Sequence, residues 1–297
     1  MISQLVSQIR EPFPLDKSKV LMTMPGLIGD NFAMCPIAYQ YSKQYKIPVD
    51  ICLDNYSAIM KSVLNKQDWI KNIFLSDGIQ HQKMGGQPYD FGRHEEFLKY
   101  YEKVYHLGFK KDFSSNVEID ADITKMLLVH NSDVPIDVNK IFDEPCIKYE
   151  KKKIKYLCVH IDSNRYLANA ESQSLLRVIF KKIHKNFDKI FFIGLHRDPN
   201  LYKPFLNNKK CVVFDDGGDL NKIVDLFSES ILYGTYSSMR ELARCMMIDQ
   251  ITVMSGWNPL SHRKSKYAGE YWVMDCDYKA LEKAFMDLMI KNDIYSK

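Results

Sequence analysis

Lys19-Val20-Leu21-Met22-Thr23-Met24, followed by Pro25-Gly26-Leu27-Ile28-Gly29-Asp30, is the stretch whose reading decides the fold. A short apolar run closed by Pro-Gly reads as a buried strand leaving through a turn. From Asn31 to Tyr45 the apolar residues Phe32, Met34, Cys35, Ala38, Tyr39 and Tyr41 cover a wide helical face, and Ile47 to Leu53 then reads as a second strand. Strand, turn, helix, strand is the repeating unit of a parallel sheet, because parallel neighbours need a crossover of helical length.

Outward from this unit the alternation continues. A helix is expected at Tyr56 to Leu64 and a short strand at Asn72 to Leu75. The pattern loosens between Ser76 and Ser115, where a glycine-bearing loop, Met84 to Gly92, precedes a helix near His94 to Tyr105. The second half repeats the scheme. Strands are expected at Tyr156–Ile161, Lys189–Gly194, Cys211–Phe214, Ser230–Tyr233 and Gln250–Met254, with helices at Ser172–Lys185, Leu220–Glu229 and Ser238–Met247. The densest charge run, Lys148 to Lys155, lies at the join, so the chain divides into residues 1–150 and 151–297. The expected class is α/β, two Rossmann-like domains facing each other across a cleft.

Composition narrows the function classes. Of 297 residues, 46% are hydrophobic and 26% charged, which excludes a disordered chain. The net charge of +4 does not mark a nucleic-acid binder. The seven cysteines are scattered and never spaced C-x-x-C, so buried thiols are expected rather than a disulfide framework or zinc ribbon. No apolar stretch approaches the ~18 residues of a membrane span and no signal peptide is legible, which points to a cytoplasmic protein.

Ligands of doubly wound sheets bind beyond the carboxyl ends of the strands, so the strand-end turns carry the candidate sites. At the first, Gly26 and Gly29 let a backbone approach a ligand, and Asp30 offers a carboxylate, although an Asp there equally serves as a helix cap. Another is Gly234-Thr235-Tyr236-Ser237-Ser238, whose small hydroxyl residues at a helix start suit a diphosphate. Ser238-Met239-Arg240-Glu241 also fits a plain capping box, and Glu241 beside a phosphate is better placed to meet ribose hydroxyls. Ser163, Asn164 and Arg165 follow one strand of the second half, and Gly194, His196 and Arg197 follow the next. Asp275-Cys276-Asp277 and Asp120-Ala121-Asp122 read as surface carboxylates, so no metal is expected. In the first half, His81, Tyr89, Arg93 and His94 cluster around the glycine-bearing loop, the mixed aromatic and polar surface that sugars favour.

The run Val20 to Leu53, with Gly26, Gly29-Asp30, Pro36 and Tyr45, resembles the opening of the ADP-heptose:lipopolysaccharide heptosyltransferase family, and Asp219 to Val253 resembles that family's donor-binding region. The resemblance implies a GT-B fold, a catalytic base at Asp30, and a donor diphosphate held by Ser237 and Ser238. The chain departs from the pattern at Tyr236, Ser238 and Glu241 and lacks a Lys-Trp-Pro element after the first strand of its second half. Thr235-Tyr236-Ser237-Ser238 also looks like the serine pair of GDP-fucose-using fucosyltransferases, which leaves the donor base and sugar open.

The implied activity is inverting, metal-independent glycosyl transfer to a glycan or lipid-linked saccharide in lipopolysaccharide-type synthesis. Arg165, Arg197 or Arg240 would offset the charge of the departing diphosphate. No cofactor is implied, since the nucleoside-diphosphate sugar is a co-substrate. A lipid-linked acceptor would bring the protein to the inner face of a membrane. Two other classes fit the same scaffold: a nucleotide-sugar epimerase or hydrolase, and a binding protein without turnover.

Overall fold

The computed structural model describes residues 17–24, 26–76, 99–108, 131, 133–161, 170–194, 203–235, 237–254, 267, 269–274 and 277–294. The chain divides into two compact units, Met1–Lys148 and Tyr149–Lys297.

In unit 1, β1 (Val20–Met24), α1 (Ile28–Tyr45), β2 (Val49–Asp54), a 3-10 turn at Asn55–Met60 leading into α2 (Lys61–Leu64), β3 (Ile70–Ser76) and β4 (Lys103–His106) follow in order. The strands form one parallel sheet in the order β3-β2-β1-β4. All five residues of β1 are buried, as the apolar run required. Helix α1 starts at Ile28 rather than Asn31, so Gly29 and Asp30 belong to its first turn. It is buried nearly all round from Asn31 to Ser42, and Pro135 and Glu144 supply hydrogen-bond partners along its C-terminal half. Tyr39 and Tyr45 donate to Glu144 Oε1 (2.5 Å) and the Pro135 carbonyl (2.9 Å), and Trp69 Nε1 donates to the Cys146 carbonyl at 2.7 Å. The helix expected near His94 to Tyr105 is corrected at its described end, where 103–106 pairs with β1 as an edge strand.

Unit 2 contains β5 (Tyr156–His160), α3 (Ala170–Ile183), β6 (Lys189–Phe192), α4 (Lys203–Leu206), β7 (Cys211–Val213), α5 (Leu220–Phe227), β8 (Ser230–Thr235), α6 (Ser238–Met246), β9 (Gln250–Met254), β10 (Glu270–Met274) and α7 (Tyr278–Lys291). Its six strands are parallel, in the order β10-β9-β8-β5-β6-β7. Renumbered within the unit this is 3-2-1-4-5-6, the dinucleotide-binding order whose direction reverses between β5 and β8. Alternate residues Leu157, Val159, Ile231, Tyr233, Ile251, Val253 and Val273 point to one face, where they pack with α3 and α7. Helices α5 and α6 lie against β8 and β9.

Six described cysteines are buried thiols outside any disulfide, and burial pushes Cys52 and Cys158 up to about 12. No helix among the described residues is long and apolar enough to cross a membrane.

Candidate functional site

The order of each sheet fixes where a ligand would lie, at the carboxyl ends of the two strands between which the chain reverses direction. In unit 1 these are β1 and β4; in unit 2 they are β5 and β8.

Beyond β1 the chain turns at Gly26, whose φ of +113° suits glycine. A Cβ on Gly26 would lie 2.9 Å from both Cβ and Oδ2 of Asp30, so the glycine also makes room for the carboxylate. Leu27 occupies the N-cap position without an oxygen to offer, and Asp30, three residues on, supplies one: Oδ2 accepts from the Leu27 N–H at 3.1 Å. The cap role expected of Asp30 is thus seen, from the third helical position rather than the N-cap itself. One carboxylate oxygen secures the helix start, in a residue that is only half-buried. Asn31 ties the turn down from beneath, its amide donating to the carbonyls of Gly26 and Leu27 at 2.8 Å and to Ser57 Oγ at 3.0 Å.

In unit 2, α6 begins just past β8. Ser237 is its N-cap and accepts from the Arg240 N–H at 3.4 Å, while the Glu241 N–H reaches the Ser237 carbonyl at 3.2 Å. The first N–H groups of a helix have no partner inside it, and those of Ser238 and Met239 meet none among the described residues. Ser237, Ser238 and Met239 are half-buried, so this helix end is accessible. Thr235 closes β8, nine-tenths buried, and its hydroxyl meets no partner among the described residues.

Two candidate ligand contacts are corrected. Arg240 and Glu241 were expected to face phosphate and ribose; their side chains are 1% and 3% exposed, held in a buried cluster with Arg244 and Glu270. Glu241 bridges the arginines, Oε1 to Arg240 Nη1 at 2.5 Å and Oε2 to Arg244 Nη1 at 2.8 Å. Glu270 Oε1 accepts from Arg240 Nε at 2.7 Å, and Trp272 stacks on the Arg240 guanidinium at 4.4 Å. Two positive and two negative groups balance, which is why all four tolerate burial. The cluster ties α6 to β10 and thereby fixes where the helix N-terminus points. Arginine and glutamate at a helix start read as ligand contacts from sequence alone; Glu270, thirty positions on, is the partner that reverses the reading.

Gly194 follows β6 at φ +76°, but a Cβ there would lie 2.6 Å from the His160 ring, so its role is to admit that imidazole rather than a ligand backbone. His160 ends β5 at 6% exposure, and burial pushes its pKa down to about 4. Gly234 serves the same packing, since a Cβ on it would meet the His160 carbonyl oxygen at 2.4 Å.

Ser163, Asn164, Arg165, His196, Arg197 and the loop residues His81, Tyr89, Arg93 and His94 lie outside the described residues. So do Asp120, Asp122, Asp275 and Cys276, while Asp277 caps α7 by accepting from the Ala280 N–H at 2.9 Å. Among the described residues no group of three His, Cys, Asp or Glu side chains is placed to hold a metal.

No protein-family model and no curated protein matches the sequence. Solved structures do match over most of the chain. ADP-heptose lps heptosyltransferase II of E. coli aligns with a TM-score of 0.61 and 9% identity, covering 92% of this chain and 99% of that one. The family 9 glycosyl transferase of Veillonella parvula aligns at 0.61 and 11%, covering 92% and 90%. A putative UDP-N-acetylglucosamine 2-epimerase from Listeria monocytogenes aligns at 0.51 and 10%, covering 94% and 90%. Identities this low establish the fold: α/β with two parallel sheets, as in the GT-B glycosyltransferases.

Proposed function

We propose that this protein is an inverting glycosyltransferase that moves a sugar from a nucleoside-diphosphate donor to a hydroxyl of a saccharide acceptor, without a metal. The observation that carries the reading is the start of α6: an accessible helix N-terminus with uncommitted N–H groups at Ser238 and Met239, placed where the 3-2-1-4-5-6 sheet reverses. Ser237, Ser238, Met239 and Thr235 hold the diphosphate on this reading, with Ser163, Asn164, Arg165, His196 and Arg197 completing the donor site. Neighbours that use nucleotide sugars on the same fold support the choice of ligand.

Asp30 is the base. The acceptor oxygen attacks the anomeric carbon, its proton passes to the Asp30 carboxylate, and the anomeric C–O bond breaks with its electron pair leaving on the diphosphate. The negative charge that develops there is met by the positive end of α6. The substrate class inferred from the heptosyltransferase likeness is a lipopolysaccharide-type or other lipid-linked saccharide, and a lipid-linked acceptor would bring the protein to the inner face of a membrane.

The test is sugar transfer by the purified protein from a panel of nucleoside-diphosphate sugars, with product analysis in the presence and absence of saccharide acceptors. Transfer lost about 100-fold or more in Asp30→Asn is the expected result; full transfer in that variant removes the assigned base. The epimerase-type neighbour favours a second reading, in which donor is converted without any acceptor. Acceptor-free turnover would select it, and donor binding with no turnover over the whole panel would select a non-catalytic binding protein.

A further inference from the structure

We propose that the amino edge of the unit 2 sheet is a docking face for an anionic phospholipid surface. The densest charge run of the sequence, Lys148 to Lys155, supplies its first members: Lys151, Lys152, Lys153 and Lys155 are exposed and lead into β5. No step of the proposed transfer uses this run, and docking there does not depend on that transfer.

Long-range pairing brings further lysines to the same edge. The Lys152 and Lys155 N–H groups donate to the carbonyls of Ser228 (3.0 Å) and Glu229 (2.9 Å), just ahead of β8. The Lys155 carbonyl accepts from the Asp188 N–H at 2.9 Å, just ahead of β6, which Lys189 opens. Lys181 comes from the last turn of α3 and Lys185 from the 3-10 turn His184–Asn186 that follows it. Lys210 closes the arrangement: its carbonyl accepts from the Ile190 N–H at 2.9 Å, and its Nζ donates to the carbonyls of Lys185 (3.2 Å) and Phe187 (2.7 Å). That holds exposed Lys209, ahead of β7, against the end of α3. Strands β5, β6 and β7 are neighbours, ~4.8 Å apart, so the lysines at their starts form one continuous face.

The charge on this face is unbalanced. Glu150 and Asp188 are exposed on it, and Glu229 is half-buried 3.5 Å from Lys155. Lys151, Lys152, Lys153, Lys181, Lys185, Lys189 and Lys209 form no ion pair among the described residues. Clustered like charge costs stability through self-repulsion, which an anionic surface would offset. The donor cannot be that anion. Strand β5 is five residues long, so roughly 16 Å separates its start from the carboxyl end where the diphosphate is assigned, about two Debye lengths at physiological ionic strength.

The chemistry favours lipid over nucleic acid. Tyr156 packs edge-on against Phe191 with ring centroids 5.2 Å apart, and His184 stacks on Phe180 at 5.8 Å, so these rings at the edge are engaged in packing rather than offered to bases. Lysine is a point charge on a flexible stem, suited to a plane of headgroup phosphates whose positions are not fixed. Docking by this edge holds the protein at a membrane while the donor end of unit 2 stays open to solution.

The experiment is flotation of the full chain with vesicles of phosphatidylcholine, with and without phosphatidylglycerol, at low and high salt. Binding should require phosphatidylglycerol and weaken as salt is added. Each lysine near such a surface contributes about 5-fold, so Lys151→Gln, Lys152→Gln and Lys153→Gln combined should weaken binding about 100-fold with the melting temperature unchanged. The control combines Lys66→Gln, Lys99→Gln and Lys103→Gln, exposed lysines of unit 1 that change the net charge equally, and should keep binding within about 3-fold. No binding to the anionic vesicles, or equal loss in the two triple variants, overturns the inference. Binding of single-stranded RNA or a polyglutamate peptide, with none of the vesicles, overturns it in favour of another anionic partner. Vesicle binding with these losses by a protein that transfers no sugar keeps the docking face and removes the glycosyl-transfer reading instead.

Discussion

Glu270→Gln tests whether the buried cluster behind α6 is what positions the helix. The carboxylate of Glu270 is 0% exposed, with Arg240 Nη2 2.7 Å from Oε1 and Arg244 Nε 3.7 Å from Oε2. At an effective dielectric of ~20 these separations correspond to attractions of about 6 and about 4.5 kcal/mol, offset by the cost of taking the charges out of water. Glutamine keeps the shape but leaves Arg240 and Arg244 with Glu241 alone, a net buried positive charge. Breaking a buried pair this way costs about 3–5 kcal/mol. For a unit of this size that lowers the melting temperature by about 6–20 °C. Urea unfolding followed by tryptophan fluorescence measures it directly, because Trp272 stacks on the Arg240 guanidinium. The double variant Arg240→Met, Glu270→Leu removes one charge of each sign and should recover much of the loss. A loss below about 1 kcal/mol in Glu270→Gln, or a double variant as unstable as the two singles summed, refutes the reasoning.

Other outcomes follow from the glycines and the buried histidine. Gly234→Ala places a Cβ 2.4 Å from the His160 carbonyl oxygen, which is backbone and must shift, so a melting temperature well below wild type is expected. Gly26→Ala strains a residue at φ +113° and presses on Asp30, so transfer should fall more steeply than stability does. His160 is held at about 4 against an ordinary 6.5, so the unfolded chain takes up a proton over that interval and the folded chain does not. Its contribution to stability is therefore full above the unfolded value and lost as the pH falls toward the folded one. Denaturant titrations should show about 2 kcal/mol lost between about pH 7 and pH 5 on this account, and His160→Gln should flatten that slope.

The buried strands were legible because their residues carry a single message. Val20 to Met24, Tyr156 to His160 and Gln250 to Met254 are apolar runs bounded by turn residues, and each is a strand. Edge strand β4 was not: Lys103-Val104-Tyr105-His106 is four residues long, with Lys103 exposed and the rest half-buried, so only its pairing with β1 defines it. The same holds for function. Asp30 could be singled out as a candidate because it follows a Pro-Gly turn, whereas the bond between Arg240 and Glu270 joins residues thirty positions apart and leaves no local signal. Arg240 and Glu241 misled because charge beside a helix start suggests a ligand until the distant Glu270 is placed. Local pattern specifies the elements; long-range pairing decides which side chains face a ligand.

The most direct test of the central claim is calorimetric titration of nucleoside diphosphates, with the corresponding nucleosides as controls, into wild type and a Ser238→Pro variant. Proline at a first helical position preserves the helix but removes one N–H aimed at the diphosphate. The account predicts that a diphosphate binds wild type, that its nucleoside binds far more weakly, and that Ser238→Pro loses about 10-fold or more while keeping its melting temperature. Equal affinity for nucleoside and diphosphate, or no change in the variant, would contradict it.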